Sequence, residues 1–328
     1  MPRIVRFHGF GGPEVLRIED LPMPQPGPDE VRIAVKAIGL NRAEVLFREG
    51  NYDPATLPSK IGYEAAGIVD AVGANVSDLV PGDIVSVIPV SGGVAFGSYG
   101  EVMIVPAPLA VKHPPSLSFA EAAAAWVQYV TAYGALIELA GMTRGDAVVI
   151  SAASSSVGIA AIQLANHVGA VPIATTRTSA KRDALLAAGA AHVVVTDDDP
   201  VTESIRAFTH GVGARIVFDP IGGPIVTAFA AAMSRGGLLI VYGALSPKPT
   251  PFPLWPAIRN GLSMRGYSFR ELASDDVRRG AAVRFISDGL ESGALRPRVA
   301  RTFPLDAIVD AHRYLESNEQ FGKVVVTV

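Results

Sequence analysis

The sequence predicts an α/β protein in two parts: a barrel or sandwich of short strands, then a doubly wound parallel sheet with helices on both faces. Three observations carry this reading. Residues 1–115 hold short β-type runs, RIVRFH, EVLRIEDL, EVRIAVKAIG, AGIVDAVG, DIVSVIPV and YGEVMIVPA, separated by Gly and Pro. From about residue 117 the texture changes to Ala-rich helical stretches alternating with β-branched runs, and parallel strands need such crossovers. Within the second texture, residues 148–165, VVISAASSSVGIAAIQLA, outline a strand, a turn of very small residues and a helix.

Taken in order, LPMPQPGP (21–28) is a proline-dense connector that excludes helix and central strand. Residues 119–140 form the most apolar long stretch, and Glu121, Gln128 and Glu138 within it argue for a buried helix and against a membrane span. Strands are expected at 147–151, 171–175, 192–196, 215–218, 238–242 and 263–268, with helical patterns between most of them. A polar-faced helix at 273–291, a strand at 298–303, a helix at 305–317 and a strand at 323–327 complete the chain.

A length of 328 residues favours two domains. A net charge of −3 gives no electrostatic case for nucleic acid or an anionic membrane surface. The absence of cysteine removes disulfides, thiolate metal sites and a Cys nucleophile. MPRIVRFHGFGG lacks the apolar core of a secretory signal, so a cytoplasmic location is expected.

In a doubly wound sheet the first strand ends in a tight turn, and the following helix points its first N–H groups at a pyrophosphate. Serine is the next smallest polar substitute for the usual glycines, and the hydroxyls of Ser154, Ser155 and Ser156 can donate to phosphate or cap the helix. Gly158, Val157 and the alanines keep strand and helix close. The same residues also suit an ordinary strand–helix turn. The tip of the second strand, IATTRTSAKRDAL, has no carboxylate for a ribose 2′-hydroxyl; it offers Thr176, Arg177 and Lys181, a cationic, hydroxyl-rich site for a 2′-phosphate. NADP(H) is therefore the expected cofactor.

Six segments in order resemble the quinone oxidoreductases of the medium-chain dehydrogenase/reductase superfamily. AIGLNRAEVLFREGNY (37–52) is similar to G-x-N-x-x-D…R-x-G-x-Y, IGYEAAGIVDAVG to G-x-E-x-A-G-x-V, PGDIV to G-D-x-V and YVTAYGAL to G-L-T-A-Y. SAASSSVGIAAIQLA resembles A-A-x-G-G-V-G-x-x-x-x-Q-x-A, and FGKVVV matches the usual close. Two positions depart from the pattern: Ser155-Ser156 stand for the GG pair, and Glu44 for the Asp. The resemblance implies a GroES-like β-barrel domain (1–120), an inserted Rossmann domain (121–268) and a return to the first domain (269–328). It implies cofactor contacts from Asn41, Thr131, Val157, Tyr242 and Lys323 beside the serine turn. It also places Asn41, Tyr52 and Tyr63 at a cleft between the domains as catalytic candidates. The strand at 263–268 would lie at a sheet edge, and the family association is a homodimer.

No metal site is expected. Asn41 and Tyr63 stand where the zinc-dependent branch has Cys and His, the six histidines are scattered singly, Glu64 is one carboxylate and no more, and the loop 89–100 has no Cys-rich lobe. Without metal polarisation, a hydride acceptor must already be electrophilic, as quinones, enones and other conjugated carbonyls are. An NADPH-binding structural or regulatory protein with little turnover is the alternative.

Overall fold

The structure, a computed structural model, describes residues 1–89 and 97–328. Most of the loop 89–100, and the last residue of the run DIVSVIPV, therefore lie outside the described residues. Strands β1 (Arg3–Phe7), β2 (Leu16–Asp20) and β3 (Glu30–Gly39) open the chain, with the proline-dense connector before β3 free of helix and strand. Helix α1 (Arg42–Arg48), β4 (Ser59–Lys60), β5 (Ala65–Val72), β6 (Ile84–Val87), β7 (Val102–Pro106), β8 (Ala110–Lys112) and α2 (Phe119–Ala122) follow. Along β3, Val31, Ile33, Val35 and Ala37 alternate inward, the period of two that lets one face join the core.

The apolar stretch 119–140 is helical in pieces. After α2 the chain turns at residues 123–125, resumes as α3 (Trp126–Ala132) and widens into a π-type turn at Tyr133–Leu139. The break hands two groups to polar partners: the Trp126 indole donates to Ser86 Oγ at 2.8 Å, and the Val127 N–H donates to Glu64 Oε2 at 2.6 Å.

Then come β9 (Ala147–Ile150), α4 (Ser156–Val168), β10 (Val171–Thr176), α5 (Arg182–Ala187), β11 (His192–Val195), α6 (Val201–Phe208), β12 (Ala214–Asp219), α7 (Ile225–Ala231), β13 (Met233–Val241), α8 (Leu254–Asn260) and β14 (Ser263–Gly266). The six strands lie parallel in the order β11-β10-β9-β12-β13-β14, the doubly wound arrangement in which the order reverses beside the first strand. The expected strands match these to within a residue or two except β13, which begins five residues earlier than the apolar run.

Helices α9 (Arg270–Ala273) and α10 (Asp276–Glu291) precede β15 (Val299–Pro304), α11 (Ile308–Ser317) and β16 (Lys323–Thr327). Two compact units result: Met1–Val127 with Arg296–Val328, and Gln128–Leu295. The family resemblance puts the junctions at 120/121 and 268/269; the contacts put them at 127/128 and 295/296. The second difference has a clear cause. Arg278 of α10 pairs with Glu138, and Phe285 packs on Tyr133 and His167 with ring centroids 5.1 and 5.4 Å apart. These contacts fasten α10 to the parallel-sheet unit despite its polar surface.

In the first unit β3 is central. It pairs with β5 along most of its length, with β7 over residues 30–34 and with β16 over residues 37–39. Its last residue, Gly39, admits no side chain: a Cβ there would overlap the Ala123 carbonyl oxygen and lie 2.5 Å from Glu64 Oε1 and 2.8 Å from Lys323 Cε. Gly39→Ala is therefore expected to destabilise the protein by roughly 1–3 kcal/mol, as overpacking does. An unchanged urea midpoint would show that this close approach is not needed.

Candidate active site

The end of β3 gathers a buried polar cluster. Asn41 is the N-cap of α1, and Glu44, at the third helical position, reaches back to accept its N–H at 2.6 Å. The Asn41 side chain turns elsewhere. Its Oδ1 accepts from Lys323 Nζ at 2.7 Å, while Nδ2 donates to the Gly39 carbonyl at 3.2 Å and faces Glu44 Oε1 and Glu64 Oε1 at 3.4 and 3.5 Å. Lys323, the first residue of β16, forms an ion pair with Glu64, just ahead of β5; the two side chains are 1% and 0% exposed. Charges so deeply buried survive only with good compensation. Here Glu64 takes the ammonium on one oxygen and the Val127 N–H on the other.

A second layer lies behind Glu44. Glu44 Oε2 also accepts from the Tyr99 hydroxyl at 2.6 Å, Tyr99 Oη lies 3.1 Å from His312 Nε2, and His312 Nδ1 lies 2.9 Å from Arg48 Nη1. Arg48 further donates to Glu316 at 2.9 Å and to the Gly11 carbonyl at 3.0 Å. A guanidinium only donates, so Nδ1 of His312 accepts and the proton of the neutral ring sits on Nε2. The chain therefore has one direction: Arg48 donates to His312, His312 to Tyr99, Tyr99 to Glu44. Burial pushes the Glu44 carboxyl up to about 7, against the pull of the Tyr99 hydroxyl, and pushes the His312 imidazole down to about 3.

In the second unit the serine turn lies at the carboxyl end of β9. Ala152 adopts a left-handed backbone with φ of 46°, a sharp turn made without glycine. Ser155 caps α4, accepting the Gly158 N–H at 3.1 Å. A Cβ on Gly158 would come within 2.6 Å of Ala153 Cα, so this glycine is what lets helix and strand close up. The first N–H groups of α4, Ser156 and Val157 among them, have no acceptor within the helix. Lys181 Nζ donates to Ser154 Oγ at 3.2 Å, which brings the cationic segment after β10 onto the turn. Thr176 ends β10 and Arg177, just beyond it, is exposed.

At the neighbouring strand ends, Asp219 accepts from the Ile221 and Gly222 N–H groups at 3.1 and 2.8 Å and from Ser151 Oγ. Burial raises its pKa. Tyr242, just past β13, stacks on Phe218 at 4.0 Å, its hydroxyl buried and unpartnered among the described residues, and Thr131 is buried on α3. Strand carboxyl ends beside the order reversal, free helix N–H groups, a cationic second-strand tip and an orphaned hydroxyl together fit a dinucleotide carrying a 2′-phosphate.

The chain matches the family described as alcohol dehydrogenase GroES-like domain over residues 27–115, and that described as zinc-binding dehydrogenase over residues 156–288. It is 31% identical to quinone oxidoreductase 1 of Escherichia coli over 327 residues, covering 97% of each chain. The protein is a quinone oxidoreductase-like member of the medium-chain dehydrogenase/reductase superfamily. Among solved structures, the E. coli quinone oxidoreductase complexed with NADPH superposes with a TM-score of 0.92 at 29% identity, covering 99% of this chain and 100% of that one. An NAD-dependent alcohol dehydrogenase superposes with the same score at 34% identity, covering 99% of both chains.

Zinc, implied by one family description, does not fit the residues present. Among the described residues no group of three or more His, Asp or Glu could hold a metal ion. Glu64, the carboxylate of the G-x-E segment, is already occupied by Lys323 and Val127.

Of the residues singled out from sequence, Asn41 and Lys323 meet directly, as do Ser154 and Lys181. Tyr63 lies in the core of the first unit, 3% exposed, whereas Tyr52 is 41% exposed. Glu44, Tyr99, His312, Arg48, Ser151 and Asp219 were not anticipated. The N-x-x-E spacing could have revealed Glu44 as a cap partner. His312 carries no such signal: a single histidine on a helix reads as a satisfied core residue, which it is. For the cofactor end, replacing Arg177 and Lys181 by Ala is expected to weaken NADPH binding by roughly tenfold or more for each charge-assisted bond lost, leaving NADH almost unaffected. Fluorescence titration of both cofactors checks this; equal affinities in the unmodified protein would refute it.

Proposed function

We propose that the protein is an NADPH-dependent reductase of quinones, enones or related conjugated carbonyls that works without a metal ion. The observation that carries this reading is the engagement of Glu64 with Lys323: the carboxylate of the G-x-E segment holds a fixed ammonium, not an open coordination position. With no Lewis acid to polarise a simple ketone, the acceptor must itself delocalise the negative charge that hydride addition creates. The names of the E. coli relative and of its NADPH complex support the same cofactor and acceptor class. NADPH, when bound, supplies a hydride from C4 of its nicotinamide ring.

The chain's own residues then have distinct tasks. The first N–H groups of α4 and the hydroxyls of Ser154 to Ser156 bind the pyrophosphate, and Thr176, Arg177 and Lys181 bind the 2′-phosphate. Thr131 and Tyr242, whose buried hydroxyl has no hydrogen-bond partner among the described residues, orient the nicotinamide half; Asn41 and Lys323 are assigned to the cofactor through the family resemblance. Tyr52, exposed on the segment after α1, donates a hydrogen bond to the acceptor oxygen as it gains charge; Tyr63 shapes the surrounding core. Reduction of an enone places hydride on the β-carbon and a proton on the α-carbon; reduction of a quinone places hydride and a proton to give the hydroquinone.

A homodimer completes the proposal. Among the described residues β14 pairs with β13 alone, leaving a sheet edge, and the adjoining α8 exposes Leu254, Trp255 and Ile258. A two-fold pairing of this edge covers both features. Sedimentation at micromolar concentration should show a dimer, and a monomer alone would overturn it.

Turnover provides the test of the reaction. With a panel of quinones and enones, Thr131→Val should lower kcat on the order of a hundredfold while leaving NADPH affinity nearly intact, the scale of rate loss that follows about 1 Å of misplacement. Tyr52→Phe should slow enones more than quinones, whose product charge is better delocalised. Exhaustive chelation should leave the rate unchanged. NADPH binding without consumption by any acceptor would replace the enzyme reading with that of a binding protein.

A further inference from the structure

The buried chain behind Asn41 has no task in the reaction as described, yet it is built from titratable groups sealed from water. Glu44 and His312 are each 0% exposed, and Arg48 is likewise 0% exposed. The two oxygens of Glu44 are unequally used. Oε2 accepts both the Asn41 N–H and the Tyr99 hydroxyl, at 2.6 Å each, which fills its two lone pairs. A proton arriving on Glu44 must therefore sit on Oε1, and Oε1 faces Asn41 Nδ2, itself a donor, at 3.4 Å. A proton on Oε1 that points along that contact opposes the Nδ2–H. Rotation of the Asn41 carboxamide relieves it by presenting Oδ1 to the new proton, and the same rotation takes Oδ1 away from Lys323 Nζ.

We propose that Glu44 is a positioning residue whose carboxylate form locks the Asn41 carboxamide onto Lys323, and whose protonation releases it. The proposal rests on the reading above that Asn41 and Lys323 serve the cofactor. The surroundings define which other groups could respond. Glu44 faces Lys323 from β16, Glu64 from the segment ahead of β5, and Tyr99; Tyr99 in turn faces Tyr63, His312 and Arg48. Arg48 is held by Glu316 at 2.9 Å and Glu49 at 3.6 Å, so its charge stays neutralised at the far end. His312, fixed as the Nε2–H tautomer, cannot pass a proton inward without losing its bond from Arg48. It orients Tyr99, and Tyr99 keeps a donor aimed at Glu44. Burial pushes the Glu44 carboxyl up to about 7, so the switch would operate near neutral pH.

Two measurements on the intact protein test this. First, NADPH affinity and kcat/KM are followed between pH 5 and pH 9, roughly two units either side of neutrality. Both should fall with decreasing pH along a one-proton limb, by up to about tenfold per unit below the midpoint. Glu44→Gln, neutral at every pH, should abolish the limb and hold both quantities near their low-pH values. Tyr99→Phe removes a donor that favours the carboxylate and should move the limb to higher pH; Glu44→Asp should restore a limb. Second, infrared difference spectroscopy of the unmodified protein should show a protonated carboxyl C=O band that grows through the same pH range and is missing in Glu44→Gln. A limb that survives Glu44→Gln, or a Glu44 band that titrates while NADPH affinity does not change, overturns the proposal. A limb in NADPH affinity with no reduction of any acceptor upholds the positioning role and refutes the proposed reaction instead.

Discussion

An ammonium cannot be left bare in a protein interior, and the first unit is organised around that fact. Lys323 enters at the start of the last strand with its charge fully buried, and the groups that answer it come from distant parts of the chain: Asn41 after β3, Glu64 before β5 and, through Glu64, the first turn of α3. Losing either charged partner of such a pair costs several kcal/mol, because the survivor stays buried and unpaired. The pair is therefore weak as a source of net stability and strong as a constraint on geometry. Gly39 must lack a side chain, the chain must break after α2 to present the Val127 N–H, and β16 must pair with the end of β3 and not its beginning. The last strand joins the sheet between β15 and β3 and delivers the charge in the same step.

The parallel-sheet unit solves a different problem with small residues. A dinucleotide turn needs a sharp bend, donors for phosphate and close strand–helix packing, needs usually met by glycine. Here they are divided. Ala152 takes the left-handed backbone, Ser155 satisfies a helix N–H, Gly158 preserves the close packing, and Lys181 is tethered to Ser154. Serines in place of a GG pair cost backbone freedom and add hydroxyl donors, which the proposed phosphate binding can use.

The fold was legible in the sequence to the extent that periodicity and punctuation express it. Alternation of helix and strand gave the parallel sheet, and the proline-dense segment is free of helix and strand as its composition requires. Elements whose identity depends on a distant partner were not legible. Helix α10 looks like a surface helix of the returning segment because charged residues recur along it; its place is set by Phe285 meeting Tyr133 and His167, and by Arg278 meeting Glu138. The run 119–140 looks like one buried helix because every piece of it is apolar; it breaks because Glu64, about sixty positions away in sequence, needs a donor. The same holds at the site. Asn41 and Lys323 are visible through resemblance, but the line from Arg48 through His312 and Tyr99 to Glu44 joins residues far apart in the chain, and no local pattern announces it.

That line also sets stability and the proposed activity in opposition. Relative to ordinary values of 4.5 and 6.5, Glu44 titrates higher in the folded protein, at about 7, and His312 lower, at about 3. Between 6.5 and 7 only Glu44 holds an extra proton in the folded state, so its contribution to stability falls as pH rises. Between 3 and 4.5 only His312 holds one fewer, so its contribution falls as pH falls. From 4.5 to 6.5 the two offset each other, and the cluster contributes a plateau. The fold therefore favours a neutral Glu44 beside a neutral His312, whereas the arrangement that fixes Asn41 on Lys323 requires the Glu44 carboxylate. The hydroxyl of Tyr99 is what reconciles the two, because a donor aimed at a buried carboxylate is the least costly way to keep the charge in place. Its own orientation depends on a histidine locked in one tautomer by a guanidinium that can only donate, so the pairing of Arg48 with Glu316 sets the direction of every hydrogen bond between it and the site.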